Sequence, residues 1–425
     1  MVNRMTLRRP ATLLAALIFT TTAAHAQQVV CLPQTYGAKA DGHTKDTAAI
    51  QKAIDACTTT GGMVTLAGGI FVSGPIALKS NVTLNIETGA TLLGSPDHAD
   101  YAAITEFRAS GVQSLITATN ASNVAITGGG IVDGNGESWW AMSKGAKDFG
   151  VLGNPRPRPH LVVFDHSKHI RMEGPTFQNS GFWQIVPYYS DDIIIRNIKI
   201  LAPQHSPNTD AIDPFSSSNI VIDHVYADVG DDNIAIKSGP INSPDSNDPS
   251  RNIHIYDCTF MHGHGVSIGS ELAGGAHNIL VERIHFKGTD NGVRVKANRD
   301  RGNDVGNIIF RDLTMEDVKT AILISEYYPK ALPEGAVAAA PVTRLTPLFH
   351  DITVENLTAT GSKVAGVVVG LPESPLERIS LKNINISAET GITVGYAQVN
   401  MQNVTVHPAK GDAIISMTEA HITDK

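Results

Sequence analysis

The chain has 425 residues, a formal net charge of −8 and a pI near 6.0, so a general nucleic-acid binder, which needs a basic face, is not expected. Charged residues make up 17% and aromatics 6%, while glycine is abundant at 38 residues, so many positions must be small, aliphatic or hydroxylated. That composition points to a repetitive fold rather than a bulky globular core.

Residues 1–26 read as an export signal. Arg4, Arg8 and Arg9 precede an apolar stretch from Ala11 to Phe19, followed by the small-residue exit Ala24-His25-Ala26. The stretch is too short to span a bilayer. The residues after the Arg8/Arg9 pair are weak for a twin-arginine route, so ordinary secretion is expected, leaving 27–425 as a mature chain without a membrane segment. In an oxidising compartment Cys31 and Cys57 could bridge, with Cys258 left as a buried odd cysteine. No cysteine or histidine spacing resembles a zinc site.

Ala49, Ile50, Ala53, Ile54 and Cys57 share one face of a helix expected from about Asp46 to Cys57, ending near Gly61. Beyond it the sequence becomes periodic. A polar residue followed by alternating aliphatics starts at Asn81, Asn123, Asp192, Asn219, Asn252, Asn278, Asn307, Asp351, Arg378 and Asn403; from Asp192 the starts lie 27, 33, 26, 29, 44, 27 and 25 residues apart. The interval of 44 must hold an extra loop or a missed turn. Period-two alternation means strand, and strands this closely spaced, without crossover helices, fit a parallel β-helix. The fold class expected is all-β, a single-domain solenoid capped at its N-terminus by the Asp46–Cys57 helix and closed less obviously by residues 391–425. The recurrent asparagines are expected to form a structural ladder at the turns.

The chemistry concentrates between residues 207 and 296. Pro207-Asn208-Thr209-Asp210-Ala211-Ile212, Gly230-Asp231-Asp232-Asn233-Ile234 and Gly263-His264-Gly265-Val266 share one phase: a polar side chain sits two positions before an inward aliphatic, just after a turn residue. Equivalent positions on successive coils lie ~4.8 Å apart, so Asp210, Asp232 and His264 should be neighbours. Asp231 joins them only if the chain bulges near Gly230. In Val293-Arg294-Val295-Lys296 both cations should point outward together as an anion clamp. Three clustered carboxylates suit glycosidic hydrolysis, where one acid protonates the leaving oxygen and another carboxylate activates water. Crowded like charges should raise at least one of their pKa values.

Asn208-Thr209-Asp210, Asp231-Asp232, Gly263-His264-Gly265 with Val266-Ser267-Ile268-Gly269-Ser270, and Arg294-Val295-Lys296 resemble the four signature motifs of the polygalacturonases, pectin-cleaving glycoside hydrolases. Tyr36-Gly37-Ala38, Asp46-Thr47-Ala48-Ala49-Ile50 and Leu78–Leu84 extend the likeness to secreted bacterial members and over nearly the whole mature chain. The resemblance implies a right-handed β-helix and inverting, metal-free, cofactor-free hydrolysis of α-1,4-linked galacturonate. It implies Asp231 as general acid, Asp210 and Asp232 on the attacking water, and His264 tuning the acid. Asn208, Arg294, Lys296 and Tyr328 would bind substrate; Tyr327 stands beside Tyr328. The partner expected is pectin polysaccharide, and the form expected is a monomer. Ala211 and Asn233 depart from the family's usual glycine and cysteine.

Trp139, Trp140 and Trp183 are candidates for sugar stacking or for packing. Arg156, Arg158 and His160 could touch a polyanion or belong to a solvated loop. His205 and His262 are expected as hydrogen-bonded turn residues. The loops 145–160, 240–251 and 329–347 should wall the cleft, and the modest length favours internal over terminal attack. Alternatives are an exo-acting enzyme, a rhamnogalacturonan or xylogalacturonan hydrolase, a calcium-dependent pectate lyase, and a non-catalytic pectin-binding β-helix.

Overall fold

A computed structural model describes residues 29–424 apart from 60, 108, 144–156, 240–247, 331, 333, 334 and 336. The expected export segment 1–26, Arg156, most of the expected wall loops 145–160 and 240–251, and four residues of the third, 329–347, lie outside the described residues.

Each coil contributes strands to three faces, and successive coils pair in parallel. The first face is illustrated by Asp191–Arg196, Ser218–Asp223 and Ser250–Phe260, in register through Ile193, Ile220 and Ile253. The ladder continues through Ile279, Ile308 and Ile352. All six isoleucines are at most 2% exposed, so period-two alternation becomes a vertical column in one continuous core. Full burial of each side chain contributes roughly 1.5–3 kcal/mol. On the second face Phe177, Ile200, Ala227, Phe260, Phe286 and Met315 stack in the same way.

The asparagine ladder is real and has a backbone cause. Asn219, Asn252, Asn278 and Asn307 all adopt φ of 56–57°, a left-handed corner that asparagine tolerates better than most residues. Their amides bond from coil to coil, Asn252 to Asn219 at 3.0 Å and Asn278 to Asn252 at 3.1 Å. Two expected repeats need correction. The periodicity skipped a coil at Lys168–Glu173, where His169 takes the asparagine position with φ 55°. Asn403 belongs to a second corner ladder, donating to Asn383 at 3.0 Å, whereas the residue in register with Ile379 is Val399. The long interval after Asn307 holds the connection from Ser325 to Leu348.

Helix α1, Thr47–Thr58, buries Ala49, Ile50, Ala53, Ile54 and Cys57 against the first coils. Asp46 precedes it, and its carboxylate accepts from the backbone N–H of Lys39 and Ala40 at 2.7 and 2.9 Å, tying the preceding loop to the cap. Cys31 and Cys57 are disulfide-bonded with Cα atoms 6.1 Å apart, and Cys258 is free and buried. At the opposite end Ile414–Ser416 and Ala420–Asp424 add two further parallel strands. No helix among the described residues is long and apolar enough to cross a membrane.

Candidate active site

The third face carries the site. Its inward column runs Ile185, Ile212, Ile234, Val266, Val293 and Ile322 in register, and the residue two places before each aliphatic stacks accordingly: Trp183, Asp210, Asp232, His264, Asn291 and Thr320. Pro214 interrupts the coil carrying Asp210, which pairs only through isolated bridges at Ile212 and Phe215. Asp231 joins the group from the bend that precedes strand Ile234–Ser238, rather than from a bulge within a strand. Asp231 Oδ1 accepts from the Asp232 N–H at 2.9 Å, and its carbonyl accepts from the His264 N–H at 3.0 Å. Gly230 is required there, since a Cβ would stand 2.1 Å from the Ser206 carbonyl oxygen. Asn233 locks the next step: its amide donates to the His262 carbonyl at 2.9 Å, and its oxygen accepts from the Gly265 N–H at 2.9 Å.

Asn208, Asp210, Asp231, Asp232, Lys296 and Tyr328 line a single cleft of about 460 Å³. His264 supports it, with Nδ1 3.0 Å from Asp231 Oδ1 and Nε2 3.3 Å from Asp290 Oδ2. Asp232 is buried and held at both oxygens, by Arg294 at 2.8 Å and Lys296 at 2.9 Å, with the Ser267 hydroxyl donating at 2.7 Å. The two cations therefore first neutralise Asp232; their remaining donors are what a ligand could use. Lys296 Nζ and the Arg294 guanidinium also lie 4.9 and 5.4 Å from the Tyr328 ring centroid. Tyr328 is thus the cleft tyrosine, and Tyr327 packs with Val369 and Leu371 instead.

The electrostatics divide the acids. Burial, then the Asp231 and Asp213 charges, hold Asp210 well above the usual carboxylate range. Asp213 is likewise held well above it by burial, which Lys237 only partly offsets. Burial opposes ionisation of Asp232 too, but Lys296 and Arg294 outweigh it and bring this carboxyl far below its ordinary value. For Asp231, burial is outweighed by the hydrogen bond and charge of His264, so it lies below its ordinary value. His264 is raised, because the Asp231 contact overcomes burial. Asp210 and His264 are thus shifted toward their protonated forms and Asp231 toward its ionised form, with burial ahead of like-charge crowding as the cause at Asp210.

Lys237 went unforeseen, and Arg158 takes a place other than the two expected for it. Lys237 lies in the cleft between Asp213 Oδ1 at 3.6 Å and Glu271 Oε2 at 3.4 Å, with Nζ 4.6 Å from the Trp183 ring centroid. The alternation that exposed Arg294 and Lys296 also applies to Ile234-Ala235-Ile236-Lys237 and would have found it. Arg158 is buried, donates to the carbonyls of Gly181 and Pro207 at 3.1 and 2.9 Å, and donates to Asn208 Oδ1 at 2.7 Å. It positions Asn208, whose amide faces Asp231 at 3.4 Å; neither it nor buried His160 is a solvated loop residue. Trp139 and Trp140 pack away from the cleft, Trp139 stacked on His98 and Trp140 donating to the Ser180 carbonyl at 2.8 Å. Trp183 does line the cleft. His262 bonds Asp228 at 2.9 Å, a turn contact as expected, while His205 is exposed.

Comparison with known proteins accords with this geometry. The model for glycosyl hydrolases family 28 matches residues 57–410. The chain belongs to that family. It is 32% identical over 372 residues to an endo-polygalacturonase of Pectobacterium carotovorum subsp. carotovorum, covering 83% of this chain and 86% of the relative. It is 32% identical over 408 residues to an exo-poly-alpha-D-galacturonosidase of Dickeya chrysanthemi, covering 83% and 66%. Among solved structures, a hyperthermoactive exopolygalacturonase from Thermotoga maritima superposes with a TM-score of 0.78 at 28% identity, over 91% of this chain and 93% of that one. The protein is thus a glycoside hydrolase with a parallel β-helix fold.

Proposed function

We propose that this hydrolase cleaves α-1,4 linkages between galacturonate residues of pectic polysaccharide, with inversion and without a metal, after export and removal of residues 1–26. The observation that carries the reading is the Asp232 ion cluster: a carboxylate kept ionised by two buried cations stands beside a second aspartate paired to a raised histidine. Asp232 is suited to accept the proton of the attacking water, with Asp210 helping to hold that water. Asp231 is suited to protonate the leaving oxygen. A bound galacturonate brings a negative charge into the cleft, which raises Asp231 and draws the shared proton across from His264. The free donors of Arg294 and Lys296, with Asn208 and Tyr328, would grip the uronate.

Asp231, Asp232 and His264 lie close enough to form a metal-ligand set, which would favour the lyase alternative. Against it, both Asp232 oxygens already face buried cations, and a dication would have to enter beside them. Reducing ends released from polygalacturonate by the purified protein, undiminished by chelator and without unsaturated products, would support hydrolysis. A chelator-sensitive rise in ultraviolet absorbance would replace it with elimination. Asp231→Asn should lose activity on the natural linkage and regain much of it on a galacturonide whose leaving group needs no proton; rescue of Asp210→Asn instead would move the acid role to Asp210.

A further inference from the structure

The cleft has a closed end. On the two coils N-terminal to the acids the outward positions of the third face include Val163, Val186 and Tyr188, and the Asp210 coil adds Phe215, all 6% exposed or less. They are covered by an antiparallel hairpin, Ala103–Glu106 with Ala109–Val112, inserted ahead of the Ile116–Thr119 strand. Its tip residue Phe107 lies 4.3 Å from Tyr188, 6.0 Å from Phe215 and 6.3 Å from Trp183, measured between ring centroids. Glu106 anchors the tip through His160 Nε2 at 3.3 Å and the Ser114 hydroxyl at 3.2 Å. Arg158 then packs over the Phe182 ring at 4.5 Å, completing a wall of Phe182 and Trp183. Among the described residues, the hollow behind that wall measures about 20 Å³, enough for a water but not a sugar.

Resting on the reading of the protein as a galacturonan hydrolase, we infer that the Phe107 hairpin and the Phe182–Trp183 wall convert the groove into a dead-end pocket, so that the enzyme takes a polymer terminus and releases short products. From the Trp183 coil to the Asp232 coil is two steps of ~4.8 Å, or about 10 Å, room for roughly one or two sugar rings. The closed end also carries a cation suited to the terminal uronate, since Lys237 Nζ lies beside Trp183. Away from the wall the cleft continues past Tyr328 to Asn298, Arg301 and Lys330, where the rest of the polyanion would run. Such terminal attack is the opposite of the internal attack expected from modest length without a large inserted domain.

The test is the product profile of the full-length secreted protein on polygalacturonate, read together with viscosity. The inference requires monomer or dimer from the earliest time points, with viscosity falling slowly relative to reducing ends. A ladder of intermediate oligomers with early collapse of viscosity overturns it while leaving hydrolysis intact. Absence of any new reducing ends overturns the hydrolase reading itself. As a second arm, replacing Ile104–Gly111 by a short glycine turn, with folding checked by thermal unfolding, should bring intermediate oligomers from undetectable to a visible ladder. Phe107→Ser should do the same more weakly if the shortened hairpin does not fold. Short products alone from a folded, active hairpin variant would show that the wall does not set the mode.

Discussion

Between Val162 and Phe215 the outward positions of the third face include Val163, Val186, Tyr188 and Phe215, with Asp165 and Asp213 as charged exceptions; between Ile234 and Ser325 they include Lys237, Ser267, Arg294 and Lys296, with Ala235 and Leu323 as apolar exceptions. The inward column is aliphatic throughout, and the coils stack in the same register. Fold and chemistry are therefore written on alternate residues of the same strands. The apolar half is sealed by a hairpin, whereas the charged half stays open and partly satisfies its ions within the cleft.

The largest effect should come from Asp231→Asn in the open half. Its kcat on polygalacturonate should fall on the order of 10²–10⁴-fold with the melting temperature unchanged, since proton donation is lost and the fold is not. Lys296→Met makes an open-half position resemble the sealed half and removes one of two counter-ions from buried Asp232. Unfolding titrations should show a loss of about 3–5 kcal/mol, accompanied by a rise in KM. Ile253→Ala acts on the first-face core column behind the site and should cost about 2–5 kcal/mol while sparing KM, which would separate scaffold from site.

The pH profile sharpens the comparison further. Asp232 lies below its ordinary value, so its ionised form persists to lower pH, and the acid limb should lie below the ordinary carboxylate value of 3.8. His264 lies above its ordinary 6.5, so the proton it shares with Asp231 is lost only as pH rises beyond that value. Activity should thus fall above neutral pH, and His264→Asn should move the alkaline limb downward; an unmoved limb in that variant would break the pairing. The smallest effect belongs to the exposed corner: Asn252→Ala removes one rung of the amide ladder and puts alanine in a left-handed corner, and should cost about 1–2 kcal/mol with kcat unchanged.

Strands, cap helix and the phase of Asp210, Asp232 and His264 were legible because each depends on local alternation that packing then reinforces. The Cys31–Cys57 pairing was legible as one option, and the structure makes the bond. The coil at His169 was not, because histidine stands where asparagine marked the other turns. The last repeat was misaligned because two corner ladders run side by side and both use asparagine, so Asn403 looked equivalent to Arg378. Arg158 could not be placed from sequence: its partners Pro207 and Asn208 lie 49 and 50 residues away. The hairpin at Ala103–Val112 breaks the period and has no repeat to predict where it folds. Nor does spacing show that Arg294 and Lys296 are already engaged by Asp232, since the distances depend on how the one intervening coil stacks between them.

The most direct test of the central claim, that stacked coils assemble an acid and a base on opposite sides of one galacturonate linkage, is the anomeric form of the first product. Proton NMR of polygalacturonate digestion by the purified protein in the presence of chelator should show newly formed reducing ends appearing first as the β-anomer, before mutarotation. First appearance of the α-anomer, or of an unsaturated sugar in place of a new hydrated end, would contradict the account.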